Sequence, residues 1–298
     1  MRDGNVPLRI CLFMGDAMLV TEWSPALQQH YVCRRTSQKP ALDGQLTSAP
    51  WQRATRSPRF VDMISGAPGL FDTQCAVLWD NEALYVGFWV EEPFVTATQS
   101  QRDALVFLEN DVEVFIDGGD AYYEFEINAL GTIYEVFFVW QDAWKKGGYW
   151  DIAEFDVHDH SAILFGGNHD RSGPHFWRGT HPRGLRWAYR DWDMPGLRSA
   201  VYVDGTINNP AVVDKGWRVE LAFPWSGMKH LAGGRTLPPK AGDEWRIFFG
   251  RFQRLELSGQ LVSQPAAWSW GAVGSNDNHI PERFTRIIFS DDDVMEGA

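Results

Sequence analysis

Residues 110–128 read NDVEVFIDGGDAYYEFEIN. Two alternating runs, Asp111–Asp117 and Tyr122–Asn128, flank Gly118-Gly119-Asp120, residues that suit a tight turn, so the stretch predicts a β-hairpin. Side chains on a strand alternate between its two faces. Val112, Val114 and Ile116 therefore share a face with Tyr123, Phe125 and Ile127. The opposite face collects Asp111, Glu113, Phe115 and Asp117 with Tyr122, Glu124, Glu126 and Asn128. A four-residue loop sets Glu113 across from Glu126, and a two-residue loop sets it across from Glu124. Either register holds two carboxylates about 5 Å apart at Cβ, where like charges repel. A calcium ion, an arginine such as Arg251 or Arg102, a shared proton or sugar hydroxyls would relieve this. The plain alternative is a solvated face with screened charges, but Phe115 and Tyr122 favour a platform over a wet outer surface.

Working outward, Thr73–Asp80 and Ala83–Glu92 flank Asn81-Glu82 and read as a second hairpin, apolar on both faces and hence central. Further strands are expected at Thr132–Trp140, Leu197–Asp204, Gly216–Phe223, Glu244–Phe252, Ala267–Val273 and Thr285–Phe289. One helical turn or two is expected after Pro224, over Trp225–Leu231, with Gly233-Gly234 as its stop. Many short strands with few helices predict an all-β sandwich or barrel. The domain expected is a single one over 28–292, preceded by an extension (1–27) and followed by a tail (293–298). A loop-rich insertion occupies about 141–196. Within it, His158 to Gly196 holds five of the eight histidines, five arginines and no lysine, and a long loop of this kind in a compact domain is often functional.

Composition narrows the function classes. The 298 residues carry 27 basic and 39 acidic side chains, a net charge of −12, without the basic footprint that nucleic acid requires. No 18-residue apolar stretch exists, so no membrane-spanning helix is expected. The run from Leu8 to Val20 is broken by Asp16 and lacks a small-residue cleavage site. It makes a poor signal peptide, with Met14 or Met18 an alternative start. Cys11, Cys33 and Cys75 lack zinc-ligand spacing and cannot close a disulfide framework. Tryptophan is abundant, at 15 residues against 8 tyrosines, and prefers sites with one wet edge.

Several motifs in sequence carry a resemblance. They are Leu42-Asp43-Gly44 followed by Trp51; Leu78-Trp79-Asp80 with Ala83-Leu84-Tyr85-Val86; the hairpin 110–128; Gly216-Trp217-Arg218-Val219-Glu220 with Pro224-Trp225; Trp245-Arg246-Ile247; and Trp268 before Phe284. In this order and spacing the chain resembles the family 9 carbohydrate-binding modules and the longer family-9-like proteins built on them, over roughly residues 31–290. The resemblance implies a jelly-roll-like antiparallel β-sandwich, a structural calcium ion, and a mono- or oligosaccharide bound between two tryptophans with polar groups on its hydroxyls. The family's hydroxyl-binding Glu matches Glu113 and its Asn matches Asn128. Phe107 stands where the first clamping Trp would be, Asn278 or His279 near the second, and Glu126 where the family has an Arg.

The candidate ligand-binding set is therefore Glu113, Glu124, Glu126, Asn128, Tyr122, Phe107 and Arg251, with Trp150 as a stacking residue within the insertion. Asp117 and Asp120, around Gly118-Gly119, offer oxygen ligands suited to calcium, or simply form a turn. His158 and His160 with Asp156 are a weaker metal candidate. The expected function is non-catalytic carbohydrate binding. The alternative is a carbohydrate-active enzyme of glycoside hydrolase or lyase type, since a like-charge neighbour raises one carboxyl pKa and paired carboxylates perform glycoside hydrolysis. A structural domain that has lost its binding site is the third reading. No Gly-rich phosphate loop, Gly-x-Ser-x-Gly or His-Glu-x-x-His occurs.

Overall fold

The computed structural model describes residues 23–167, 181–257, 260–275 and 277–296. Most of the expected N-terminal extension (1–22), and His169, His175 and Trp177 of the insertion, lie outside the described residues. Strands dominate. The N-terminal part supplies β1 (His30–Arg35), β2 (Val61–Asp62), β3 (Thr73–Trp79) and β4 (Ala83–Glu91). The central part supplies β5 (Asp111–Asp117), β6 (Ala121–Asn128), β7 (Ile133–Trp140), β8 (Ala162–Phe165) and β9 (Arg186–Tyr189). Then follow β10 (Arg198–Asp204), β11 (Gly216–Pro224), β12 (Glu244–Gln253), the short hairpin β13 (Glu256–Leu257) and β14 (Gln260–Leu261), β15 (Ala266–Ser269) and β16 (Thr285–Asp293).

The main sheet runs β10-β11-β4-β3-β1-β16-β12-β5-β6-β7-β9-β8. Its two halves, β10-β11-β4-β3 and β12-β5-β6-β7, face each other across one core, as rings from opposite halves show: Phe125 lies 5.4 Å from Phe223, and Phe88 lies 6.3 Å from Phe249. This is an all-β sandwich. Pairing is antiparallel except at β1, which runs parallel to both β16 and β3 where the halves join. The core is built from alternating β-branched and aromatic residues such as Val86, Phe88, Val112, Val114, Phe125 and Val219, all fully buried. Each contributes about 1.5–3 kcal/mol of transfer free energy.

Local differences from the sequence expectation have physical causes. β1 is absent from the expected strands because its run HYVCRR is short and ends in charge. Only alternate positions, Tyr31 and Cys33, are buried. The insertion is not all loop: β8 and β9 extend the sheet beyond β7. Within the expected tail, Val294 still packs on the domain: it is buried and its N–H donates to the Arg35 carbonyl at 2.8 Å. The turn after Pro224 is a 3-10 helix over Trp225–Leu231. Gly233 and Gly234 follow it at φ of 54° and 85°, the left-handed region where glycine is unstrained. Among the described residues, no helix is long and apolar enough to cross a membrane.

Candidate functional site

The hairpin forms in the four-residue register. Asp111 faces Asn128, Glu113 faces Glu126, Phe115 faces Glu124 and Asp117 faces Tyr122. β12 lies on the other side of β5, with Phe252, Gly250 and Phe248 opposite Asp111, Glu113 and Phe115. β7 lies beyond β6, with Tyr134, Val136 and Phe138 opposite Glu126, Glu124 and Tyr122. The two-residue period therefore collects a band of acids in the middle of a four-strand face, with aromatic residues on both flanks. Gly250, directly across from Glu113, adds no side chain to this face, and a Cβ there would strike the Phe248 ring at 2.5 Å.

This face is not open to solvent. Segments around Phe107, Arg254, Ser263–Pro265 and Asn278-His279 arch over it and bound a cavity of about 420 Å³. Its polar lining includes Glu113, Glu124, Glu126, Arg190, Asn278 and His279; its apolar lining includes Phe107, Tyr134, Phe138, Phe165 and Phe252. Glu113, Glu124 and Glu126 are all buried, at 2%, 6% and 1% exposure. Burial pushes the Glu124 carboxyl up to about 7. It also pushes Asp111 and Glu126 well up, with like charge adding to the push: from Glu109 and Glu124 on Asp111, and from Glu113, Glu124 and Asp111 on Glu126. Asn278 Nδ2 donates to Glu113 Oε2 at 2.7 Å, and Phe252 N–H donates to Asp111 Oδ1 at 3.3 Å. Asp111 Oδ2 and Glu126 Oε2 have no hydrogen-bond partner among the described residues.

Several expected residues lie elsewhere. Arg251 pairs in register with Val112, on the core face. There it is fully buried, donating to Thr73 Oγ1 (2.8 Å) and Gln253 Oε1 (2.5 Å), with Glu92 Oε2 at 3.7 Å. The register of β12 thus turns Arg251 away from the glutamates of the acidic face, although its charge still acts on Asp111. Arg102 is likewise removed, paired with Glu135 and Asp193. Trp150 packs into the core against Phe137, Phe155 and His230 and does not line the cavity. Its bulk is used to seat the insertion on the sandwich.

Asn128 is spent on backbone and on the Glu109 carboxylate. Its Nδ2 donates to Gln99 O (2.8 Å) and Glu109 Oε1 (2.6 Å), while Oδ1 accepts from Leu130 and Thr132 N–H at 3.0 Å each. Tyr122 lies beneath the cavity, stacked on Phe138 with centroids 4.5 Å apart, and its hydroxyl is 3.1 Å from His279 Nδ1. It positions His279 and offers no free ring face. The turn aspartates are paired with arginines: Asp117 lies 2.6 Å from Arg246, and Asp120 lies 2.5 Å from Arg183. A cation there would have to displace both. His160 meets Asp159 and Asp191 on an exposed loop, without His158.

Sequence reasoning placed Asp111 on the acidic face without making it a ligand. It missed Arg190, Tyr134, Phe138, Phe165 and Phe252. The alternation of β7 was a usable signal for Tyr134 and Phe138; nothing in the insertion's composition pointed to Phe165 or Arg190.

No protein-family model matches the sequence, and no curated protein matches it. Solved structures do. A protein from Bacteroides uniformis, provisionally described as carbohydrate-binding, superposes with a TM-score of 0.53 at 14% identity, covering 88% of this chain and 100% of its own. A family 9 carbohydrate-binding module from Caldicellulosiruptor kristjanssonii in complex with glucose gives a TM-score of 0.46 at 13% identity, covering 87% of this chain and 96% of its own. The cellotriose complex of a family 9 module from that organism gives 0.44 at 14%, covering 87% and 94%. The first of these establishes a shared fold, at the level the sequence motifs led us to expect.

Proposed function

We propose that this chain binds carbohydrate, a mono- or oligosaccharide, without catalysis, in the cavity over β5, β6 and β7. One observation carries the reading: of the positions that the motif resemblance assigns to sugar contact, all but Asn128 converge. Phe107, Glu113 and the pair Asn278-His279 come from segments far apart in sequence and line one cavity. Its chemistry suits a sugar. Pyranose rings present C–H faces to aromatic side chains, here Phe107, Tyr134 and Phe252, and hydroxyls to charged and amide groups, here Glu113, Glu124 and Asn278. A volume of about 420 Å³ lies toward the small end of ligand pockets, which favours a short saccharide or a chain end. The shared fold with the Bacteroides uniformis protein is consistent with this reading.

A second reading has an observation of its own. Glu124, held near 7 beside two further glutamates, has the acid strength of a general acid. One variant separates the two. Purified protein is titrated with mono- and oligosaccharides by calorimetry, and the same mixtures are assayed for products. Glu113→Gln is expected to abolish binding with no product formed by the parent protein. Retained binding with lost turnover assigns the site to an enzyme instead, and absence of any binding by the parent protein overturns both.

A further inference from the structure

The most unusual feature of the described residues is the close packing of buried carboxylates in the acidic band. Asp111, Glu113 and Glu126 each present a carboxylate oxygen within 4.8 Å of the other two, and all three side chains are buried. Buried carboxylates in folded proteins are ordinarily hydrogen-bonded, ion-paired or coordinated. Here Asp111 Oδ2 and Glu126 Oε2 have no hydrogen-bond partner among the described residues, although both side chains belong to the cluster; Glu126 otherwise meets only the Glu124 carboxyl, in a carboxyl–carboxyl hydrogen bond. The arginine nearest in sequence register, Arg251, is held on the opposite face by Thr73, Gln253 and Glu92.

We infer that Asp111, Glu113 and Glu126 form a binding site for an oxygen-seeking divalent cation of the calcium class. The donor set is all carboxylate, which suits hard cations and offers nothing to soft metals. Two oxygens on opposite sides of a calcium ion, each at about 2.4 Å, stand about 4.8 Å apart, the limit within which these three donors fall. Calcium takes six to eight oxygens, more than the three that one oxygen from each of these carboxylates supplies. Glu113 and Glu126 also line the cavity, so the remaining coordination positions face its interior. This inference goes beyond the carbohydrate reading in its first part, since cation binding needs no sugar. Its second part rests on that reading: the open positions accept ligand hydroxyls, so that saccharide binding depends on the cation.

The test uses the full chain, stripped with EGTA and then titrated with calcium chloride by calorimetry, with melting temperature followed in parallel. One calcium site and a rise in melting temperature are expected. Glu126→Gln, nearly isosteric, and Asp111→Asn are each expected to weaken calcium binding at least tenfold while keeping the native circular dichroism spectrum. The absence of heat and of a melting shift in the parent protein overturns the inference without reference to any variant; a proton shared among the carboxylates would give this result. Calcium binding undiminished in both variants also overturns it, by placing the ion elsewhere. Saccharide titrations with calcium and with EGTA separate the two parts. Calcium binding lost in the variants, with saccharide bound equally in EGTA, supports the cation site and overturns the cation-dependent ligand. Calcium binding with no saccharide bound at all supports the cation site and counts against the carbohydrate reading alone.

Discussion

Glu220 and Glu126 are both buried glutamates in the interior of this sandwich, and their surroundings are opposite. Glu220, on β11, accepts backbone N–H groups from Leu42 (3.0 Å), Asp43 (3.0 Å) and Gly44 (3.2 Å) and the Trp51 indole N–H at 2.7 Å. Its charge is consumed in pinning the 42–51 segment to the sheet. Glu126, on β6, faces Glu113 across the ladder and leaves one oxygen without a partner. Burial alone is therefore a poor guide to function in a chain with this many acids. What separates a structural carboxylate from a candidate site is whether the protein itself supplies the donors.

The largest effect should come from breaking the satisfied member. Glu220→Ala strands three backbone N–H groups and an indole, and a loss on the order of 3–5 kcal/mol is expected in urea unfolding. A loss below about 1 kcal/mol, within the range of an ordinary substitution, would remove the distinction drawn here. The unsatisfied member should behave in the opposite sense. In chelator, Glu126→Gln relieves like-charge crowding and is expected to leave stability unchanged or raise it by about 1–2 kcal/mol. A destabilisation as large as that at position 220 would show that Glu126 has protein partners of its own.

A pH scan sharpens the contrast. Burial raises the Glu124 carboxyl from an ordinary 4.5 to about 7, so between those values the folded protein binds more protons than the unfolded chain. Stability contributed by this group is then fully present below about 4.5 and lost as pH rises through about 7. In chelator, melting temperature should fall across this window, and Glu124→Gln should flatten the fall. A parent curve that is flat or rising there contradicts the assignment.

What the sequence could reveal follows the same division. The hairpin, its acidic face and the convergence of Phe107, Glu113 and Asn278-His279 were legible, because strand alternation and motif spacing are local or one-dimensional signals. The position of Arg251 was not. Which face it occupies depends on the register of β12 against β5, where it meets Val112, and no local pattern encodes that pairing. The place of Trp150 was hidden for a related reason: composition announces an aromatic side chain but not that it lies off this cavity, against Phe137 and Phe155. Asn128 was read as a hydroxyl ligand although its amide closes the turn through Leu130 and Thr132, a use of Asn that is equally common. β8 and β9 stayed hidden because a Gly- and His-rich setting masks short strands whose stability comes from pairing with β7.

The smallest expected effect tests the roof of the cavity against its acidic floor. Phe107 sits on a short 3-10 turn, Val106–Leu108, anchored by the fully buried Val106. Its own ring is only partly buried and meets Tyr134 edge-on at 5.6 Å. Little of the fold depends on that ring, so Phe107→Ala should change stability by less than about 1 kcal/mol. Its role lies in the ligand: a ring that stacks on a sugar face contributes on the order of 1 kcal/mol, so saccharide affinity should fall about tenfold (roughly 1.4 kcal/mol) with calcium affinity unchanged. An equal loss of both affinities would mean that the turn organises the carboxylates, and the roof and floor of the cavity would then be one structural unit. An unchanged saccharide affinity would move the stacking surface to Tyr134 or Phe252, on the opposite flanks of the same acidic band.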